Sequence, residues 1–294
     1  MPQLDEIHFR DPYILAVPEH DRHYLIGTPS YRTRAGAVTG RGSGLDVFVS
    51  SDLCAWESPM TVFEPPEGFW GTHDFWAPEL HHYRGRFYIF CTFKASDACR
   101  GTHVLVADDV LGPYEPLTDE PPTPRDWECL DGTLYVDDDG SPWMVFCHEW
   151  VQVGDGEMCA VRLSDDLSRP IGQPRLLFTA TQAPWVDAYP RPDCYVTDGP
   201  SLYRASDGSL LMAWSSFTEG RYAVGLARSA SGSVEGPWEQ SPTPLYDQDG
   251  GHGSVCRTLS GDLVLALHRP NSAPSERPLL LPLCERDGTL VLTS

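Results

Sequence analysis

Short apolar runs, each broken by a polar or glycine-containing turn, recur along the whole chain, and inside them apolar residues follow the period of β-strands. No stretch carries the i, i+3, i+4 pattern of a long amphipathic helix. Five hairpin-like units stand out. Asp11–Leu15 turns at Glu19–Arg22 into His23–Thr28, and Ala77–Tyr83 turns at Arg84–Arg86 into Phe87–Phe93. Thr133–Val136 turns at Asp137–Gly140 into Trp143–Cys147, Pro200–Arg204 at Ser206–Gly208 into Leu210–Trp214, and Gly253–Thr258 at Ser260–Asp262 into Leu263–Leu267. Asx-Gly and other glycine-bearing turns between apolar runs are strong hairpin signals.

Third strands follow at Leu45–Leu53, Thr102–Asp108, Glu157–Ser164 and Tyr222–Ser229. Each leads toward a fourth, marked by Trp56, Gly112-Pro113-Tyr114, Asp166-Leu167 and Gly236-Pro237-Trp238. The period of 54–67 residues predicts an all-β, five-bladed β-propeller spanning 1–294 as a single domain. The last strand is expected from a terminus, at Leu279–Leu283 or Leu290–Leu292. The 26 Gly and 27 Pro, without a collagen period, fit such a turn-rich fold.

Charge narrows the partners. The net charge is −21 and Lys94 is the only lysine, so a phosphate backbone or an anionic lipid surface would be repelled. No phosphate-binding Gly-x-x-x-x-Gly-Lys-Ser/Thr loop exists, and Arg41-Gly42-Ser43-Gly44 reads as a loop because no helix pattern follows it. The nine cysteines form no C-x-x-C pair, and several, such as Cys91, Cys147 and Cys256, sit in apolar strands as buried thiols. There is neither a basic–apolar leader pattern nor an apolar run of membrane-spanning length, from which a cytoplasmic location is expected.

In a closed ring of blades the innermost strands line one channel, and equivalent strand-start residues meet at its mouth. Asp11, Asp131 and Asp198 head three of these strands, and Ala77 and His252 head the others. One Asp at a strand start is commonly an Asx-turn residue. Three in one slot, aimed where like charges cost stability, point to chemistry. Two carboxyls across a cleft are the machinery of glycoside hydrolysis, and a separation of about 6.5–9.5 Å leaves room for a water and gives inversion. Asp11 and Asp198, two blades apart, suit the longer distance. A third carboxylate beside the acid raises its pKa and keeps it protonated near neutrality.

Four segments resemble glycoside hydrolase family 43, the five-bladed propellers that include β-xylosidases, α-L-arabinofuranosidases, arabinanases and β-1,3-galactanases. They are Arg10-Asp11-Pro12-Tyr13, Phe75-Trp76-Ala77-Pro78-Glu79-Leu80, Leu130-Asp131-Gly132-Thr133-Leu134-Tyr135, and Gly250-Gly251-His252-Gly253 with Ala266-Leu267-His268-Arg269-Pro270-Asn271. The resemblance implies Asp11 as general base and Asp131 as pKa modulator. It also implies a sugar pocket with Phe75, Trp76, Ala77, His252 and His268, and His252 at the channel axis near a water or a structural calcium. No cofactor is required. The family's acid is usually Glu in Glu-Gly-Pro, whereas Thr197-Asp198-Gly199-Pro200 places an Asp there, one methylene shorter and so withdrawn by roughly 1.5 Å. Asp198 is still the expected acid, with Glu79, Glu149 and Glu219 as substitutes.

Trp70, Trp127, Trp150 and Trp185 lie in loops where sugar-stacking walls often form, although each taken singly reads as packing before binding, while Trp56 and Trp238 read as core. The expected function is an inverting, exo-acting glycosidase that releases arabinofuranose or xylose from short oligosaccharides, without a separate carbohydrate-binding module. The alternatives are a galactosidase or galactofuranosidase on the same scaffold, a retaining relative, or a non-catalytic sugar-binding propeller. The expected partner is a small oligosaccharide or glycoside, with no nucleic acid and no membrane.

Overall fold

The computed structural model describes residues 1–29 and 44–293, so the Arg41–Ser43 part of the predicted loop lies outside the described residues. Five four-stranded antiparallel sheets follow one another along the chain. Blade one is β1 (Phe9–Val17), β2 (Arg22–Pro29), β3 (Leu45–Ser50) and β4 (Met60–Phe63). Blade two is β5 (His73–Tyr83), β6 (Arg86–Ala95), β7 (Ala98–Ala107) and β8 (Glu115–Pro116). Blade three is β9 (Cys129–Val136), β10 (Pro142–His148), β11 (Glu157–Leu163) and β12 (Pro170–Thr179). Blade four is β13 (Asp198–Arg204), β14 (Leu210–Thr218), β15 (Arg221–Ser229) and β16 (Glu239–Gln240), and blade five is β17 (Gly251–Arg257), β18 (Leu263–Arg269), β19 (Arg277–Arg286) and β20 (Thr289–Leu292).

The five-bladed propeller read from the repeat is the observed fold. Both candidates for the last strand are strands of blade five, Leu279–Leu283 inside β19 and Leu290–Leu292 inside β20. Every sheet uses consecutive strands, so the ring closes by packing rather than by strand exchange. One apolar cluster fills each interface between blades. Phe75 and Ile89 pack with Ile26 and Val47 between blades one and two, and Phe146 and Val161 with Phe90 between two and three. Trp214 and Met212 pack with Phe178 between three and four, and Leu265 and Leu267 with Val224 between four and five. Phe9, Ile14 and Leu25 of blade one meet Cys256 and Ala266 of blade five and close the ring. Trp56 is fully buried in that last cluster and Trp238 packs against the third, as expected of core positions.

The hairpin turns follow the residues that permit them. Arg84-Gly85 (φ 48° and 79°) and Asp287-Gly288 (φ 52° and 70°) both place two residues at positive φ, the two-residue turn that matches strand twist. The one α-helical segment among the described residues is the single turn Trp150–Val153.

Candidate active site

Each innermost strand carries a β-bulge at the same height. Pairing with the second strand is interrupted after Arg10↔Thr28, Trp76↔Thr92, Leu130↔Cys147, Asp198↔Ser215 and Gly251↔His268. The next residue is left-handed in every blade: Asp11 (φ 51°), Ala77 (44°), Asp131 (56°), Gly199 (52°) and His252 (52°). A non-glycine residue held there costs on the order of 1–3 kcal/mol. Ala77 adopts it without any chemistry to perform, so the conformation belongs to the fold, and catalysis inherits it. The bulges also correct the register expected from sequence. Asp198 stands one residue before the shared slot, level with Arg10 and Trp76, and the blade-four slot residue is Gly199. A Cβ at Gly199 would lie 2.8 Å from the His252 ring, so contact as well as conformation requires glycine.

A ring of hydrogen bonds fixes these slots. The N–H of Ala77 donates to Thr28 Oγ1 at 2.6 Å, that of Asp131 to Thr92 Oγ1 at 2.9 Å, and that of His252 to Ser215 Oγ at 2.8 Å. The N–H of Asp11 donates to His268 Nδ1 at 3.2 Å, which leaves His268 Nε2 to face Asn271 Oδ1 at 3.2 Å. The fifth equivalent residue is Cys147, and here the N–H of Gly199 donates to the carboxylate of Asp131, at 3.0 Å. Asp131 is thereby tied to the peptide that immediately follows Asp198.

The slots open into a cavity of about 310 Å³, at the small end of the range for small-molecule sites. Asp11, Asp131 and Asp198 all line it, together with His252, Trp76 and Glu149. Thr28 Oγ1 donates to Asp11 Oδ2 at 2.7 Å, and Tyr222 Oη donates to Asp198 Oδ2 at 2.9 Å. His252 Nδ1 sits between two carboxylates, 3.4 Å from Asp11 Oδ1 and 3.6 Å from Asp131 Oδ2. Asp11 and Asp131 are buried, and Asp198 is partly exposed to the cavity.

The three carboxyls are driven apart in pKa. Burial alone would raise Asp11, but His252, Arg10 and His268 and the Thr28 hydrogen bond outweigh it and hold the carboxyl below its ordinary value. Burial pushes His268 down to about 4, so at neutral pH it is an uncharged acceptor for the Asp11 N–H. Asp131 is pushed well up by burial and by the charge of Asp11. Asp198 is raised to about 7, by burial first and then by the charge of Asp131. The result is one carboxylate held ionised, Asp11, and two carboxyls raised toward the protonated form, Asp131 and Asp198, in a single cavity. That is the arrangement acid–base chemistry needs.

Other expected site residues divide. Trp76 and His252 are on the wall. Phe75 is not: it is buried against Phe93, ring centroids 4.7 Å apart, because its strand alternation turns it into the interface between blades one and two. Ala77 and His268 are buried beside the cavity and act through backbone hydrogen bonds rather than on its wall. Glu79 is buried on His81 and Thr133, and Glu219 is exposed on Arg221, so of the three substitutes only Glu149 reaches the cavity. Among the loop tryptophans, Trp150 lines the cavity. Trp185 is buried on Trp214, Trp70 packs on the blade-two core, and Trp127 stacks on His148. Sequence reading missed Arg10, Tyr189, Phe217 and Tyr222 as wall residues. The one available signal was Arg10, which flanks a predicted catalytic carboxylate.

The expected calcium near His252 meets a poor donor set. Calcium takes six to eight oxygens. The two carboxylates beside His252 already accept from Thr28 and Gly199. No group of three or more His, Cys, Asp or Glu among the described residues has metal-holding geometry. A protein-caged calcium does not fit these donors.

Comparison with known proteins bears on the same site. The family described as glycosyl hydrolases family 43 matches residues 6–288. A solved structure described as an endo-arabinase from Bacteroides thetaiotaomicron VPI-5482 is 41% identical, with a TM-score of 0.89, over 97% of this chain and 98% of that one. An endo-1,4-β-xylanase from the same organism is 21% identical, with a TM-score of 0.78, over 98% and 95%, a likeness of fold. The extracellular endo-α-(1→5)-L-arabinanase 1 of Bacillus subtilis (strain 168) is 23% identical over 134 residues, 42% of this chain and 41% of that protein, so the chain matches less than half the length of this curated relative.

Proposed function

The chain belongs to glycosyl hydrolase family 43 and is a glycoside hydrolase, and from that premise we propose that it hydrolyses α-L-arabinofuranosyl linkages of arabinan-type oligosaccharides, with inversion. The observation that carries the mechanism is the split among the three carboxyls. Asp11, held ionised, takes a proton from a water as that water attacks the anomeric carbon. Asp198, protonated up to about pH 7, gives its proton to the departing glycosidic oxygen. Asp131 is tied to Asp198 by the hydrogen bond it accepts from the Gly199 N–H, and where Asp131 ionises its charge raises Asp198 further. Tyr222 fixes the Asp198 carboxyl from the other side, which helps the shorter acid hold one geometry. Proton count and charge balance over the step: one proton is gained by Asp11 and one is lost by Asp198.

The sugar and the mode of attack rest on the 41% identical relative, whose description as an endo-arabinase favours internal cleavage over the exo action expected from sequence. The test is early product analysis on linear arabinan, with xylan, xylo-oligosaccharides and aryl galactosides in parallel. A ladder of arabino-oligosaccharides is expected. Arabinose as the sole early product restores the exo reading, turnover confined to xylosides or galactosides overturns the arabinan reading, and no turnover on any substrate overturns catalysis.

A further inference from the structure

Arg100 in β7 does not line the cavity, but it touches two residues that do. Its guanidinium lies 4.5 Å from the centre of the Trp76 ring, and its Nη1 is paired with Glu149. The same side chain, 11% exposed, reaches Asp74 at 3.1 Å and Glu128 at 3.7 Å. Glu128 also accepts the Arg100 N–H at 2.9 Å, and its two carboxylate oxygens accept from Nζ of the chain's one lysine, Lys94, at 2.6 and 2.7 Å. The backbone closes the unit, since the Glu149 N–H donates to the Glu128 carbonyl at 2.8 Å.

Charge decides what this cluster is for. Two cations face three carboxylates in a largely buried corner, and surplus buried charge costs stability. A network built for stability alone would be neutral, or would use apolar side chains. Of the three carboxylates, Glu149 is the one that lines the cavity. Burial, followed by the charges of Glu128 and Asp74, pushes the Glu149 carboxyl up against the pull of Arg100, so its charge is under-compensated.

We propose that Glu149 is a sugar-hydroxyl acceptor that sets substrate specificity, with Arg100 as the positioning residue that fixes it at a right distance from the Trp76 ring face. The corner selects a neutral sugar that offers a hydroxyl beside an apolar ring face, and it rejects an anionic sugar such as a uronate. This assignment rests on the glycosidase reading of the cavity. Losing a hydrogen bond to a charged group corresponds to roughly a 10- to 150-fold change in KM.

The experiment compares wild type, Glu149→Gln and Arg100→Lys on aryl α-L-arabinofuranosides and their 2-, 3- and 5-deoxy analogues. Both variants should raise KM for the full sugar about tenfold, with kcat and melting temperature near wild type. One deoxy analogue should bind more weakly to wild type and lose nothing further in Glu149→Gln. If all analogues suffer equal penalties in both proteins, or if only melting temperature falls, Glu149 and Arg100 are structural and the assignment fails. If wild type ignores arabinosides but cleaves another glycoside, the arabinan reading fails, and the same comparison on the deoxy series of that glycoside decides the role of Glu149.

Discussion

Replacing Asp198 with asparagine should abolish turnover and, at the same time, make the fold more heat-resistant above neutral pH. In the folded chain the Asp198 carboxyl is raised from 3.8 to about 7. A group whose folded pKa lies above its unfolded value contributes its full stability below the unfolded pKa and loses it as pH rises through the folded pKa. Roughly three pH units at about 1.36 kcal/mol each give about 4 kcal/mol, lost between about pH 4 and pH 7. Asparagine keeps the shape of the protonated acid, and its oxygen still accepts the hydrogen bond that Tyr222 donates to Asp198. It carries no charge to bury. The variant should therefore match wild type near pH 4 and exceed it at pH 8. At about 2.1 cal/mol/K per residue, 4 kcal/mol over a chain of this length corresponds to about 6 °C. Calorimetry at pH 4, 6 and 8 measures the difference, alongside turnover on an aryl arabinofuranoside. A difference that does not grow with pH, or a variant less stable at pH 8, would refute the claim that burial and Asp131 make Asp198 keep its proton.

Asp11→Asn removes the ionised carboxylate and should lower kcat by about 10²–10⁴-fold with an unchanged circular dichroism spectrum; substantial residual turnover would remove Asp11 from the base role. Asp131→Asn removes a like charge beside Asp198, so the alkaline limb of the pH–rate profile should move down by about 1–3 units; an unmoved limb counts against the tuning role. Gly199→Ala forces a Cβ to 2.8 Å from the His252 ring at φ 52° and should cost about 1–3 kcal/mol in thermal unfolding. A wild-type melting temperature would mean that this contact is relieved by movement of His252.

The fold was legible because each blade writes the same sentence: an apolar run, a turn that accepts positive φ, and a second apolar run. Asp11 and Asp131 were legible for the same reason, as heads of repeated strands. Asp198 was placed in the right cavity but in the wrong register, because a bulge adds a residue without changing the apolar pattern, and Gly199 rather than Asp198 takes the left-handed turn. The hydroxyls of Thr28, Thr92 and Ser215 were present in the sequence at the same repeat as the slots they bond. They went unread because single hydroxyls inside apolar strands carry no periodic signal, and His268 was read only as a pocket residue. Phe75 and Trp76 show the limit of a motif: adjacent strand residues face opposite ways, and only one of them reaches the cavity. Glu149 was marked only as a substitute acid; Arg100, which reaches it from blade two, and Tyr222, which reaches Asp198 from the third strand of blade four, carry no local signal that marks them.

The most direct test of the central claim, that Asp11 and Asp198 act on opposite faces of one sugar, is the anomer first released. Proton NMR on purified protein hydrolysing an aryl α-L-arabinofuranoside or a short linear arabino-oligosaccharide, followed from the first seconds, separates the product anomers before mutarotation mixes them. Inversion predicts that the β-anomer of the newly formed reducing end appears first and then equilibrates. First appearance of the α-anomer would mean that a carboxylate attacks the sugar itself, and would contradict the division of labour assigned to the three aspartates.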